Sequence, residues 1–389
     1  MNERDGLETQ PVFPDPDSET SRRGGIVRIP KAAWIPTSMI LTAAILALLA
    51  PFAPNGAGRP RPEAGPAAVP GSKNAQAARE ATEHSTPRQA PTPSPTPDPA
   101  VRPLTAPVAP RVLDRGPVPV RKPGAEDPDP TTDHVIVVDG MSGTILFQRN
   151  GYQPIAPASL TKIMTAILGI ERGRLPDKVK VDVDAGSMAG SSLMGLEPWF
   201  DVTFQDLLYG LMLASGNDAA LAIGRYVATT DQKFVALMNE KASWLGLRCT
   251  HFTNPHGLDA PGHYSCPADM VTMARYAMQY PVFRKIVATR QYDVQGSNVS
   301  FTLHNLNPIL NAYPGADGVK TGDTLNAGRS LVGTASENGH RIYVAFMRSD
   351  AGTAYDGARL LNWAFQSFEW PPGDPGPLRG RLLASQRDG

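Results

Sequence analysis

Apolar positions change their spacing repeatedly along this chain, and each change marks a segment. From Ala32 to Ala53 they are nearly continuous, with "MILTAAILALLA" (39–50) as the core. The whole run is long enough to span a bilayer, while its core alone has the length of a signal-peptide apolar region. From 54 to 131 apolar residues are small and scattered, and no element is predicted. "HVIVVDGMSGTILFQRN" then reads as two strands around a Gly-containing turn, a hairpin. Helical spacing dominates from Ser159 to Gln279. "PASLTKIMTA" (157–166) starts one such pattern, with Leu160, Ile163, Met164, Ile167 and Leu168 on one face. "VTFQDLLYGLML" opens with Thr203 and Asp206 three apart, a capping-box start. "DQKFVALMNEKASWLGL" carries a helical period, and "SCPADMVTMARYAM" offers Ser265 as N-cap with Pro267 in the first turn. Strand patterns return in "GVKTGD", "RSLVGTAS" and "RIYVAFMR", and a last helix is predicted over "AYDGARLLNWAFQSF". Strands from both ends of the region around a helical middle predict an α+β fold. One antiparallel sheet, flanked by helices, is built from N- and C-terminal parts, and the middle forms a helical lobe.

Composition sharpens the division. Of 39 prolines in 389 residues, 20 fall between 51 and 130, many in alternation as in "APTPSPTPDPA". Such a segment buries too little apolar surface to fold, and proline favours extended polyproline II. It reads as a spacer, reaching roughly 50 Å as a flexible coil and about 250 Å fully extended. Arg22, Arg23, Arg28 and Lys31 precede the apolar run, so the N-terminus is expected in the cytoplasm and the rest exported. The long preceding segment, and the lack of a nearby small-x-small cleavage site, favour an uncleaved anchor over a signal peptide. The expected organisation is a cytoplasmic polar segment (1–31), a transmembrane anchor or signal segment (32–53), a disordered Pro-rich linker (54–131), a catalytic domain (132–370) and a flexible tail (371–389). Lys plus Arg equal Asp plus Glu at 37 each, so no global field points to nucleic acid or to a cationic partner.

The candidate chemistry begins with Ser159 and Lys162. A serine hydroxyl is a poor nucleophile until a base takes its proton. A lysine can do so only if desolvation or a nearby cation lowers its pKa. Three residues apart on a helix, the two share a face, and Ser159 falls at the helix start, where free N–H groups favour negative charge. The pair alone is weak, since it arises readily by chance. Two further stretches add to it: "ASGNDAA", with Ser215, Gly216 and Asn217 between helical patterns, and "DGVKTGDT", with Lys320, Thr321 and Gly322 in a strand pattern. Each alone suits an ordinary turn or strand edge. Together, in this order and context, they are the motif set of penicillin-binding proteins and serine β-lactamases.

"PIAPASLTKIMTA", "DLLYGLMLASGNDAALAI" and "FTNPHGLDAPGHYS" narrow this further. The region from about His134 to Phe368 resembles the D-alanyl-D-alanine carboxypeptidases, the low-molecular-mass penicillin-binding proteins of peptidase family S11. The resemblance implies the β-lactamase/DD-peptidase-like fold and a peptidoglycan stem peptide as substrate. It also implies β-lactams as covalent inhibitors, and no cofactor. It implies that Ser159 is acylated, that Lys162 is its base, and that Lys320 depresses the Lys162 pKa and attracts the substrate carboxylate. Ser215 would bridge the lysines and pass a proton to the departing D-alanine. Asn217 would orient the substrate amide, and Thr321 would bind the carboxylate. Gly322 would let substrate lie against the strand edge, and the N–H groups of Ser159 and Asp323 would form the oxyanion hole.

The chain departs from the family at several points. Position 323 is Asp, where many members carry His or an aromatic residue, and a carboxylate turned inward there would oppose an oxyanion. Only 21 residues follow Phe368, so neither the C-terminal β-rich domain nor the C-terminal anchor of many members is expected. The shortened form also resembles members that cut cross-links, which keeps D,D-endopeptidase activity as the alternative.

Cys249, His251, His256, His263 and Cys266 lie close enough in sequence to suggest zinc. The same histidine stretches occur in the family without metal, so no metal is expected and the histidines are assigned to the loop. In an exported domain the cysteines are expected to pair as Cys249–Cys266, closing a loop worth about 3 kcal/mol; two buried thiols are the alternative. A class A β-lactamase needs a glutamate with an asparagine four residues on. Between Asn217 and Lys320 the only glutamate is Glu240, and Trp244 fills that fourth place. A non-catalytic wall-binding module would have no use for an activated serine.

Overall fold

The computed structural model describes residues 98–372, save 107, 111–113 and 115. The anchor expected over 32–53, most of the expected linker and the tail from 373 lie outside the described residues. Among the described residues no helix is long and apolar enough to cross a membrane.

In chain order, a short strand β1 (Val120–Arg121) precedes the predicted hairpin, β2 (His134–Asp139) and β3 (Ile145–Arg149). A 3-10 turn, Ala158–Thr161, leads into α1 (Lys162–Arg172). A small ribbon, β4 (Lys178–Lys180) and β5 (Asp201–Thr203), brackets the loop before α2 (Phe204–Met212). Thr203 and Asp206 form the capping box their spacing predicts. α3 (Asn217–Ala228), α4 (Asp231–Leu245), α5 (Pro267–Ala277) and α6 (Pro281–Ala288) complete the helical lobe. A second ribbon, β6 (Gln291–Gln295) and β7 (Ser300–His304), and a single turn of helix, α7 (Ile309–Ala312), lead to the C-terminal strands. These are β8 (Ala316–Gly322), β9 (Ser330–Glu337) and β10 (His340–Met347), followed by α8 (Thr353–Ser367) and β11 (Phe368–Glu369).

The main sheet has the order β3-β2-β10-β9-β8 and is antiparallel throughout, so N- and C-terminal parts do meet in one sheet. Both of its faces are covered, which is why β2 reads as a continuous apolar run. Successive residues alternate between two cores. Ile136 and Val138 join the cluster under α1 and α5, whereas Val135 and Val137 join the one under α8.

Three features differ from the sequence reading. The N-cap of α5 is Cys266, not Ser265. Ser265 is drawn instead into a bridge with Ile155, and its hydroxyl bonds Thr250. The β4–β5 and β6–β7 ribbons were not foreseen, because their strands are short and mostly polar outward. The described part of the expected linker is bound to the domain. The Arg102 N–H donates to Val227 O, and its guanidinium lies 3.7 Å over the Tyr226 ring. Thr105 N donates to Glu171 O at the end of α1, and Ala109 N to the Tyr280 hydroxyl. Asp114 pairs with Arg275, β1 pairs with β11, and the Trp363 indole donates to Glu126 O. The folded part therefore begins well before the expected boundary at 132. Prolines limit internal hydrogen bonding in this strap, so several of its backbone groups find partners on the lobe behind it.

Candidate active site

Ser159 lies in the 3-10 turn that opens α1, with Lys162 as the first α-helical residue. Lys162 is fully buried, and its Nζ lies 2.8 Å from Ser159 Oγ. Two carbonyl oxygens sit 2.6 Å from the same nitrogen, Asn217 Oδ1 from α3 and the His256 backbone oxygen. A neutral amine has two N–H groups and one lone pair. The two carbonyls take the N–H groups, which leaves the lone pair to accept the Ser159 hydroxyl proton. Burial pushes the Lys162 pKa well below the ordinary lysine value, the positive charge of Lys320 lowers it further, and Asp218 opposes both. What this arrangement can do is remove a proton from a serine without a histidine.

Lys320, near the end of β8, is buried too, and burial lowers its pKa to about 7. Its Nζ donates to the Thr321 carbonyl. Thr321 is part-exposed on the strand that borders the site. Gly322 also packs closely against the serine turn. A Cβ there would lie 3.0 Å from Ala158 Cβ and 3.1 Å from Ser159 N. The missing side chain lets β8 lie against the turn that carries the serine. Asp323 follows directly after the end of β8. The Asp323 side chain is exposed.

Ser215, two residues before Asn217, does not bridge the lysines through a hydrogen bond. Among the described residues its hydroxyl hydrogen-bonds neither of them, and Asn217 makes the contact to Lys162 instead. Ser215 is held at φ +59°, a left-handed conformation that L residues seldom adopt.

The loop 249–266 forms the remaining wall. Cys249 and Cys266 are joined as a disulfide at its base. Gly257 presses on the serine turn so closely that a Cβ there would lie 1.9 Å from Ala158 O. Thr165 Oγ1 donates to Pro255 O, and Asp259 accepts from Thr324 Oγ1 and Asn326 N, tying the loop to the segment after β8. The His263 ring serves the loop. Thr253 N donates to Nδ1, which leaves the proton on Nε2 to face Thr161 Oγ1 at 2.9 Å. Burial lowers the pKa of both His256 and His263 to about 4, so neither carries charge at neutral pH. The cysteines and histidines do not converge. The one grouping of metal-capable side chains among the described residues is Cys249, Cys266 and Asp269, and its sulfurs are bonded to each other. Glu240 lines a groove with Leu104, Leu168 and Trp244 at the far end of α1, remote from Ser159.

Sequence reasoning missed the His256 carbonyl, because a backbone acceptor leaves no mark in the residue letter. It also missed Asp218, whose signal was its place directly after Asn217 at a helix start.

A buried lysine amine beside a serine at a helix start, with a lysine-threonine-glycine strand edge close by, is the arrangement that a serine–lysine acyl-transfer site requires. Comparison with known proteins places the chain among such enzymes. It belongs to the S11 peptidase family, D-alanyl-D-alanine carboxypeptidase, whose family model matches residues 122–351. It is similar to the D-alanyl-D-alanine carboxypeptidase DacF of Bacillus subtilis, at 35% identity over 61% of this chain and 63% of that one. It is also similar to DacB2 of Mycobacterium tuberculosis, at 36% identity over 61% of this chain and 84% of that one. The chain thus spans under two thirds of the DacF length. Among solved structures, the D-alanyl-D-alanine carboxypeptidase from Mycobacterium tuberculosis aligns with TM-score 0.59 and 34% identity, over 68% of this chain and all of that one. The Streptomyces K15 DD-transpeptidase aligns with TM-score 0.58 and 30% identity, over 62% and 99%. The likeness covers the sheet and helical lobe; the strap before residue 122 lies outside the family match.

Proposed function

We propose that this chain is a serine-type D-Ala-D-Ala carboxypeptidase that removes the terminal D-alanine from peptidoglycan stem pentapeptides. The observation that carries this is the buried Lys162 amine, 2.8 Å from Ser159 Oγ with its two N–H groups already committed. Ser159 Oγ attacks the carbonyl carbon of the penultimate D-alanine while its proton passes to Lys162 Nζ. The oxyanion is stabilised by the N–H groups of Ser159 and Asp323. The C–N bond then breaks, and the departing D-alanine amine takes up a proton through Ser215 or Lys162. Water attacks the acyl-enzyme and returns Ser159. Lys320 and Thr321 hold the terminal carboxylate of the substrate, and Asn217 its amide. β-Lactams present a similar carbonyl and carboxylate, and acylate Ser159. The basic cluster and apolar run before residue 54 tether the domain to the outer side of the cytoplasmic membrane.

The test incubates the full chain with a pentapeptide muropeptide and with a D,D-cross-linked dimer, read by mass spectrometry. Loss of one D-alanine from the monomer is expected. Cleavage of the dimer alone would replace this reading by an endopeptidase. Ser159→Ala is expected to abolish turnover and covalent penicillin labelling together, and labelling that survives would place the nucleophile elsewhere. Lys162→Ala is expected to slow acylation by about 10²–10⁴-fold with the fold intact; an unchanged rate would remove it as base.

A further inference from the structure

Asp218 is a fully buried carboxylate that forms no ion pair among the described residues and, apart from its opposing effect on the Lys162 pKa, has no part in the reaction steps above. Its Oδ1 accepts from Met194 N and Ala219 N, both at 2.9 Å. Its Oδ2 accepts from Gly195 N and Leu196 N, at 2.8 and 2.9 Å. Three consecutive N–H groups of one loop therefore converge on a single side chain of α3. Without the carboxylate, Met194 N and Leu196 N would be buried donors lacking acceptors.

The loop so held is in direct contact with the Ser215–Asn217 turn. Asn217 N donates to Ser192 O. Met194 fills the space that two glycines leave open: a Cβ on Gly210 would lie 2.1 Å from its sulfur, and one on Gly216 3.1 Å from its Cβ. The turn itself needs holding, because Ser215 sits in the left-handed region.

We propose that Asp218 is a positioning residue for acyl transfer: its carboxylate fixes the 192–196 loop, which clamps the Ser215–Asn217 turn and so seats Asn217 Oδ1 on Lys162. The inference rests on the serine–lysine reading above. Asp218 also acts through its charge. The charged and titratable groups around Lys162 are Lys320 from β8, Asp218 from α3, and His256 from the loop, which is neutral above its pKa of about 4. Asp218 is the one anion among them, and it offsets Lys320.

The experiment measures acylation of the full chain by a fluorescent penicillin as a function of pH. Asp218→Asn keeps the shape, removes the charge and replaces one acceptor oxygen by an NH2 group, which leaves two N–H donors without an acceptor. Its plateau rate is expected to fall about 10–100-fold. Its acid limb is expected to move to lower pH, because Lys162 then feels Lys320 unopposed. Gly195→Ala, at φ +92°, disturbs the same loop and leaves the charge in place. It should lower the plateau while the limb stays. A folded Asp218→Asn with wild-type rate and limb overturns the proposal, as does a lowered melting temperature with unaltered acylation. If Asp218→Asn does not fold, Gly195→Ala decides, and wild-type acylation by that variant overturns the clamp. Failure of the underlying reading looks different: the wild-type chain is not labelled, or Ser159→Ala still is.

Discussion

Lys162 and Lys320 are both sealed from water, yet the proposed reaction asks opposite charge states of them. Lys162 must be neutral to receive a proton. Lys320 must be charged to hold a carboxylate. Burial with a neighbouring cation drives the first down strongly, whereas burial alone leaves the second near 7. Below that value Lys320 is protonated and the substrate carboxylate has its partner. Above it the charge is lost, and binding must take up a proton. The KM for a peptide ending in a free carboxylate is therefore expected to rise from neutral pH upward, approaching about tenfold per pH unit. A KM that stays flat from neutral to alkaline pH would remove Lys320 from that role. At this scale the letters told much: Ser159, Lys162, Asn217 and Lys320 come together from three separate stretches. They did not tell that Ser215 would make no hydrogen bond to either lysine among the described residues, since a hydroxyl's reach depends on a left-handed turn that no residue type announces. Nor did they show the His256 carbonyl, which binds Lys162 through an atom every residue possesses.

Helices and strands place these residues through contacts so close that small residues are obligatory. The serine turn is squeezed between Gly257 on one side and Gly322 on the other. A Cβ at 322 would meet Ala158 and Ser159 N at 3.0–3.1 Å, a distance the turn can meet only by shifting a few tenths of an ångström. Gly322→Ala is therefore expected to fold, with a stability loss of about 1 kcal/mol, and to acylate about 10–100-fold more slowly. Stopped-flow penicillin acylation beside thermal unfolding checks this. An unchanged rate with lowered stability would mean that the contact supports the sheet and not the site. The order of elements was legible because β2 is a continuous apolar run and α1 and α4 carry a helical period. The β4–β5 and β6–β7 ribbons were not, because strands such as "KVK" and "SFTLH" place few apolar residues inward. The cap of α5 moved by one residue for a tertiary reason, the bridge of Ser265 to Ile155.

Over the whole described molecule, the strap from 98 to 121 is the part that composition alone misplaced. Its prolines made it look like more of the spacer, yet several of its described non-proline groups are matched to a partner. Arg102 reaches the end of α3, Thr105 the end of α1, Ala109 the Tyr280 hydroxyl at the start of α6 and Asp114 the buried Arg275 of α5. β1 then pairs with β11 beside α8, so the one segment crosses the helical lobe and finishes on the sheet. None of these contacts touches Ser159 or Lys162. Chains beginning at 98 and at 132 should therefore differ in stability and not in chemistry. Removing the strap strips the Arg275 guanidinium, which is almost inaccessible, of its carboxylate. Stranding a buried charge of this kind costs about 3–5 kcal/mol. The shorter chain is expected to unfold at a melting temperature lower by about 10 °C or more, and the Arg275→Met variant of that shorter chain should recover part of the loss. Acylation at low temperature, where both remain folded, should agree within about twofold, since additivity holds for distant sites. Equal melting temperatures would show that the strap is dispensable to the fold. Equal stability with slower acylation would mean instead that it acts on the site through α1, whose far end it grips.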